Sequence, residues 1–251
     1  MRNSESNYSH FTWESSAMTN TGRIRKINQD AFLERKECGL WVVADGMGGH
    51  NSGEVASKAV IDAMTNVQLP DTLSGKIDIL EAALKSVNYQ LLIKARKFGP
   101  DGVIGTTAVL MFVHHDQCIL LWAGDSRAYR FREQHLMQLT KDHSYVQQLV
   151  DKDLLTKDEA EHHPFSNLVT HSVGTSEEIY VDFADSEIEP DDLFLLCSDG
   201  LNKELSDAEI TQVLSAGGSL KEMNQRLIEQ TLTKGGHDNV TTLLIKARST
   251  S

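Results

Sequence analysis

The chain has 251 residues, 40% of them hydrophobic and 24% charged, with four prolines and a formal net charge of −12. That composition argues against extended disorder, and an acidic chain without a long basic stripe argues against a nucleic-acid binder, because phosphate backbones call for clustered Lys and Arg. No apolar run reaches membrane-spanning length and the start MRNSESNYSH lacks the apolar segment of a secretory signal, so a cytoplasmic protein with no membrane partner is expected.

Residues 1–10 are polar and expected as a flexible N-terminus, and residues 11–248 as a single domain. Residues 11–19 alternate loosely and open a β-rich stretch, residues 22–30 form a turn or strand, and residues 31–34 a short strand linked through 37–39 to the next. In WVVADGMGGH, Trp41, Val42, Val43 and Ala44 predict a buried strand that stops at Asp45 and enters a glycine-rich turn. Beyond Gly53, the apolar residues Val55, Ala56, Ala59, Val60, Ala63 and Met64 recur about every four positions; a second helix is predicted from Ile77 to about Lys97. Both stripes are core faces. Residues 102–107 predict a turn, followed by strands at 108–113, 118–123, 128–132 and 135–139, whose tight links predict one antiparallel meander. A polar, weakly helical insertion at about 141–175 has the character of a mobile flap. Strands resume at 180–187 and 193–197, helices follow at 207–214 and 219–234, and a strand at 240–245 closes the fold. Many antiparallel strands with two pairs of helices predict a sandwich of sheets covered by helices, an α+β class. Cys38, Cys118 and Cys197 lack metal-ligand spacing and are expected as reduced, small hydrophobes.

Three of these apolar strands deliver an acid at their ends. Asp45 follows Ala44, Asp125 follows Gly124, and Asp199 follows Ser198; a fourth, Asp238, precedes the last strand, whose antiparallel placement sets its start beside the ends of the others. Four carboxylates on one rim repel each other and raise one another's pKa values, and hard divalent cations are the natural compensation. An all-oxygen set favours Mg²⁺ or Mn²⁺ over Zn²⁺. Asp45 is the expected bridge between two ions, with Asp199 and Asp238 completing one site, the carbonyl of Gly46 serving the other, and Asp125 able to hold a third ion beside Asp199. In GRIRKINQD, Arg25 is the expected clamp for a phosphate oxygen, and Asp30 the acid that orders water at the metals. Taken singly, Asp followed by Gly is a common turn and an Arg near an Asp a common surface pair; the conjunction gives them meaning. Residues 48–53 have P-loop glycine spacing, yet Glu54 and Val55 stand where Lys and Ser or Thr are required, which removes a nucleotide-binding reading.

The segments GRIRKINQD, ADGMGGH, IGTTAV, AGDSRAY, LTKDHS, CSDGL and HDNVTTLLI, in this order, resemble the bacterial form of the type 2C metal-dependent protein serine/threonine phosphatases. The resemblance implies an α-β-β-α sandwich and hydrolysis of phosphoserine and phosphothreonine by a water activated on a binuclear Mn²⁺ or Mg²⁺ centre. It matches Asp45, Asp199 and Asp238 to the paired-metal aspartates, Gly46 to the carbonyl ligand, Asp125 to the third-metal ligand, Arg25 to the phosphate arginine and Asp30 to the supporting acid. It further implies phosphorylated protein substrates, a cognate Ser/Thr kinase and a monomer. Two departures stand out: Met47 occupies the place of a histidine that eukaryotic members carry as general acid, leaving His50 as the nearest candidate with metal-bound water as the alternative, and Ser166 precedes Asn167 where bacterial members often have arginine. The competing reading is a catalytically inactive, metal-binding regulatory module of the same fold. Loss of a metal aspartate or of the phosphate arginine would favour it, and all are present.

Overall fold

In the computed structural model, residues 11–48, 52–99 and 102–249 are described; the expectations for residues 1–10 and for His50 fall outside them. The strands are β1 (Phe11–Asn20), β2 (Asp30–Arg35), β3 (Leu40–Gly48), β4 (Ile104–Thr106), β5 (Ala108–His114), β6 (Gln117–Ala123), β7 (Arg127–Arg132), β8 (His135–Gln138), β9 (Asp182–Glu187), β10 (Leu193–Cys197) and β11 (Val240–Ser249). The helices are α1 (Ser52–Asn66), α2 (Leu73–Ala95), α3 (Tyr145–Asp151), α4 (Lys157–Glu161), α5 (Asp199–Asn202), α6 (Asp207–Ser215) and α7 (Leu220–Lys234). No helix among the described residues is long and apolar enough to cross a membrane.

Two antiparallel sheets result, one ordered β2-β3-β5-β6-β9 with β4 attached to β3, the other β1-β11-β10-β7-β8. The period-2 alternation of the strands sorts their side chains into layers. Leu40, Val42, Leu110 and Leu121 face α1 and α2, packing on Val60, Met64, Leu80 and Leu84. Trp41, Val43, Met111, Leu120, Phe194 and Ile245 fill the space between the sheets. Leu195, Cys197 and Leu244 face α6 and α7, against Ile210, Val213 and Leu227. The predicted α-β-β-α sandwich is the observed architecture.

Several boundaries differ for local reasons. The strand through Trp41 does not stop at Asp45 but runs on to Gly48, because residues expected as a turn form β4 and pair Gly46 with Thr106. Three residues are too few to show a period. The second helix begins at Leu73, ahead of the apolar stripe, because the Thr72 side chain accepts from the Gly75 N–H and caps it. The single meander does not form: β6 stays with β5 and β9, whereas β7 pairs with β10 and β8 in the other sheet. The chain changes sheet at Gly124, whose φ of +122° suits glycine and where a Cβ would stand 2.5 Å from the Thr107 Cβ. The insertion carries α3 and α4, capped by Ser144 and by a Thr156–Glu159 capping box. Cys118 and Cys197 are buried free thiols and Cys38 is half-buried, as expected of small hydrophobes.

Candidate metal centre

The alternation that builds the interlayer core also decides which polar side chains share its end. On β3, Trp41 and Val43 face the opposite sheet, so Asp45 does too; on β2, Phe32 shares that face, and Asp30 with it. Register sets Asp30 directly opposite Asp45. On β11, Leu243 and Ile245 face inward and bring Thr241 with them. Asp199 opens α5 where β10 ends, and Asp238 lies two residues before β11 begins. Gly200 allows these two to approach: a Cβ there would lie 1.9 Å from the Asn239 carbonyl oxygen. Asp125 sits in the link between the sheets. The five acids therefore come from five separate stretches of chain to one end of the sandwich.

A web of hydrogen bonds fixes the backbone beneath them. The Asp45 carbonyl accepts from the Thr107 N–H at 2.8 Å and from Thr106 Oγ1 at 2.9 Å, while the Asp45 N–H donates to Thr107 Oγ1 at 3.1 Å. The Gly46 N–H donates to the Gln29 carbonyl at 3.1 Å. Asn239 pins the link between β1 and β2 at three points, its Nδ2 donating to the Thr21 and Ile27 carbonyls and its Oδ1 accepting from the Gln29 N–H. Asp30 Oδ2 accepts from Ser198 Oγ at 2.7 Å and from Thr241 Oγ1 at 2.8 Å. Asp30 Oδ1 and Asp199 Oδ1, both buried, have no hydrogen-bond partner. Arg25 donates from Nε and Nη2 to the two oxygens of Asp238, at 2.8 and 2.7 Å.

The electrostatics follow from crowding. Burial first, then the charges of Asp30, Asp199, Asp125 and Asp238, pushes the Asp45 carboxyl well above the ordinary carboxylate range. Burial also lifts Asp30, against the pull of the Ser198 and Thr241 hydroxyls, to about 7. Asp125 rises to about 7 through burial and the charge of Asp199. Among the described residues no three side chains stand as a closed metal-ligand set; Asp238 is turned onto Arg25, and Asp199 onto Lys203, with which it forms an ion pair. The donor set nonetheless fits hard divalent cations: it is all oxygen, it is crowded with like charge, and two of its buried oxygens lack partners.

Several residues around the centre carry roles that the strand-end acids did not signal. Ser198, Thr241 and Asn239 are polar positions in or beside apolar strands, and that anomaly was their only sequence mark. Arg127 grips Asp142 through Nε and Nη2 at 2.8 to 3.1 Å, joining β7 to the start of the insertion. His143, buried under Trp122, accepts from the Gly124 N–H through Nδ1 and meets Asp182 through Nε2 at 3.2 Å, so it braces the turn before Asp125. Between the insertion and α5–α6 opens a cavity of about 480 Å³, lined in part by Asp125, Asp199, Lys203, Asp142, Lys157 and Asn167.

A family model described as Protein phosphatase 2C matches residues 23–244. Protein phosphatase PhpP of Streptococcus pneumoniae is 34% identical over 241 residues, covering 92% of this chain and 96% of PhpP. Among solved structures, PppA, a key regulatory component of T6SS in Pseudomonas aeruginosa, superposes with a TM-score of 0.86 at 39% identity, over 94% of this chain and 97% of that one. The catalytic domain of serine/threonine protein phosphatase PstP, in complex with two manganese ions, gives a TM-score of 0.83 at 32% identity, over 95% of this chain and all 100% of that one.

Proposed function

The chain belongs to the protein phosphatase 2C family and is a metal-dependent protein serine/threonine phosphatase, and on that premise we propose which of its residues do the work. Asp45, Asp199, Asp238 and the Gly46 carbonyl would hold two Mn²⁺ or Mg²⁺ ions, Asp45 being the residue able to serve both, with Asp125 beside Asp199. When bound, the ions supply Lewis acidity that brings a water's pKa toward neutrality and offsets charge on the phosphoryl oxygens.

The remaining work belongs to side chains. Arg25 reaches the solvent side of the rim, with a side chain 56% exposed, and its planar fork takes two phosphate oxygens in the way it now takes Asp238. Asp30 keeps one oxygen locked by two hydroxyls and offers the other to orient water. His50 is the candidate to protonate the leaving serine or threonine oxygen. Residues 11–248 act as one catalytic domain and residues of about 141–175 as the flap over its cavity. Because the product is a free hydroxyl, a Ser/Thr kinase must supply each new substrate phosphoprotein, and we place this exchange in the cytoplasm, with the phosphatase acting as a monomer.

The observation that carries this reading is Asp30 opposite Asp45, with buried, unpartnered oxygens on Asp30 and Asp199 beside them. Hydrolysis of p-nitrophenyl phosphate and of a phosphothreonine peptide is expected with added Mn²⁺ and is expected to vanish in excess EDTA. Full turnover in EDTA would refute the assignment.

A further inference from the structure

Lys203 follows Asp199 by four residues, and the short helical turn of α5 brings its ammonium onto Asp199 Oδ2. This is no surface pair, since the Asp199 side chain is 11% exposed and that of Lys203 33%. Lys203 lines the same cavity as Asp125 and Asp199.

A third divalent ion at this corner would draw on Asp125 and on Asp199, the carboxylate that Lys203 already pairs with. We propose that Lys203 is a tethered cation that holds the Asp125–Asp199 corner in place of a third divalent ion, so that the centre loads two ions. The proposal rests on the metal-centre reading above. An ion arriving at Asp125 must either share Asp199 with an ammonium, at a cost in like-charge repulsion, or displace it. Displacement is opposed by the tether, because the ammonium is part of the chain and its local concentration does not fall on dilution. The contrast with Arg25 is instructive: Arg25 also sits on a site aspartate, Asp238, but more than half of its side chain is exposed and it is free to turn to a phosphate.

The test is Mn²⁺ binding to the full chain, counted by calorimetry and by the electron paramagnetic resonance signal of free Mn²⁺. Wild type and Lys203→Arg, which keeps the charge, are expected to bind two ions. Lys203→Gln is expected to bind a third, at least tenfold tighter than any third ion taken by wild type, and adding Asp125→Asn is expected to remove it. If Lys203→Gln does not fold, Lys203→Met, which keeps the aliphatic stem, gives the same reading. Equal ion counts and affinities in wild type and the charge-free variant overturn the proposal, as does a wild type that loads three ions. A purely structural ion pair would lower the melting temperature without changing the ion count. Failure of wild type to bind any Mn²⁺ would instead strike the metal-centre reading itself.

Discussion

The middle of the sandwich and its acidic rim are built by the same strands and differ by one or two residues along them. In the middle, Trp41, Val43, Leu120, Phe194, Leu196 and Ile245 close the space between the sheets with apolar contacts. At the rim, on the same faces of the same strands, stand Asp30, Asp45 and Thr241. The middle is fully buried and the two rim acids partly so, and only the first gains from it. Burial in the middle removes apolar surface from water; burial at the rim strips carboxylates of water and leaves Asp30 Oδ1 and Asp199 Oδ1 without partners. The middle supplies stability, and the rim draws on it to hold a charge arrangement that only a cation completes.

One substitution in each region should separate the two contributions. Asp45→Asn, nearly the same shape without the charge, is expected to reduce kcat by about 10³-fold or more, on the order of 4 kcal/mol, while leaving the metal-free protein as stable as wild type or more so. Trp41→Ala is expected to cost about 3–5 kcal/mol of unfolding free energy by urea titration. If Asp45→Asn destabilised the metal-free fold as much as Trp41→Ala does, the rim would be part of the core and the contrast would fail.

A smaller effect sharpens the contrast through pH. Asp30 and Asp125 sit at about 7 in the folded protein against an ordinary value of 3.8, so the folded form binds their protons more tightly than the unfolded chain does. That contribution is complete below pH about 4 and is lost as pH rises to about 7. Metal-free protein should therefore lose a few kcal/mol of stability across that window. Saturating Mn²⁺ should shrink the loss, because the ions replace the protons as counter-charge. Urea midpoints at pH 5.5 and 7.5, in EDTA and in Mn²⁺, measure this. Identical pH slopes under the two conditions would mean that the acids are not the metal's ligands.

Asp45, Asp125, Asp199 and Asp238 were legible because apolar strands announce themselves by run and period, and an acid at such a boundary is conspicuous. Their convergence required sheet order, which the chain conceals. The link at Gly124 to Ser126 looks the same whether it closes a hairpin or crosses between sheets, and only the Gly124 conformation and its contact with Thr107 decide. β4 and α5, with three and four residues, are too short for either period to show. Ser198 and Thr241 showed only as polar positions beside or within apolar strands, and a hydroxyl there is as often outward as inward, so their role did not show. Lys203 escaped because its meaning depends on an i,i+4 relation within a helix that the sequence does not signal. The smallest expected effect tests one of these hidden residues. Ser198→Ala removes a donor to Asp30 and an acceptor for the Thr241 N–H, and should cost about 1–3 kcal/mol and weaken Mn²⁺ binding, as calorimetry would record.

The central claim is that acids distant in the chain gather a pair of hard ions around Asp45. Anomalous diffraction at the manganese edge from Mn²⁺-soaked crystals tests it most directly. Two peaks are expected, each about 2 Å from an oxygen of Asp45, with Asp199 and Asp238 against one and the Gly46 carbonyl against the other. Manganese bound elsewhere, or a single ion held without Asp45, would contradict the account.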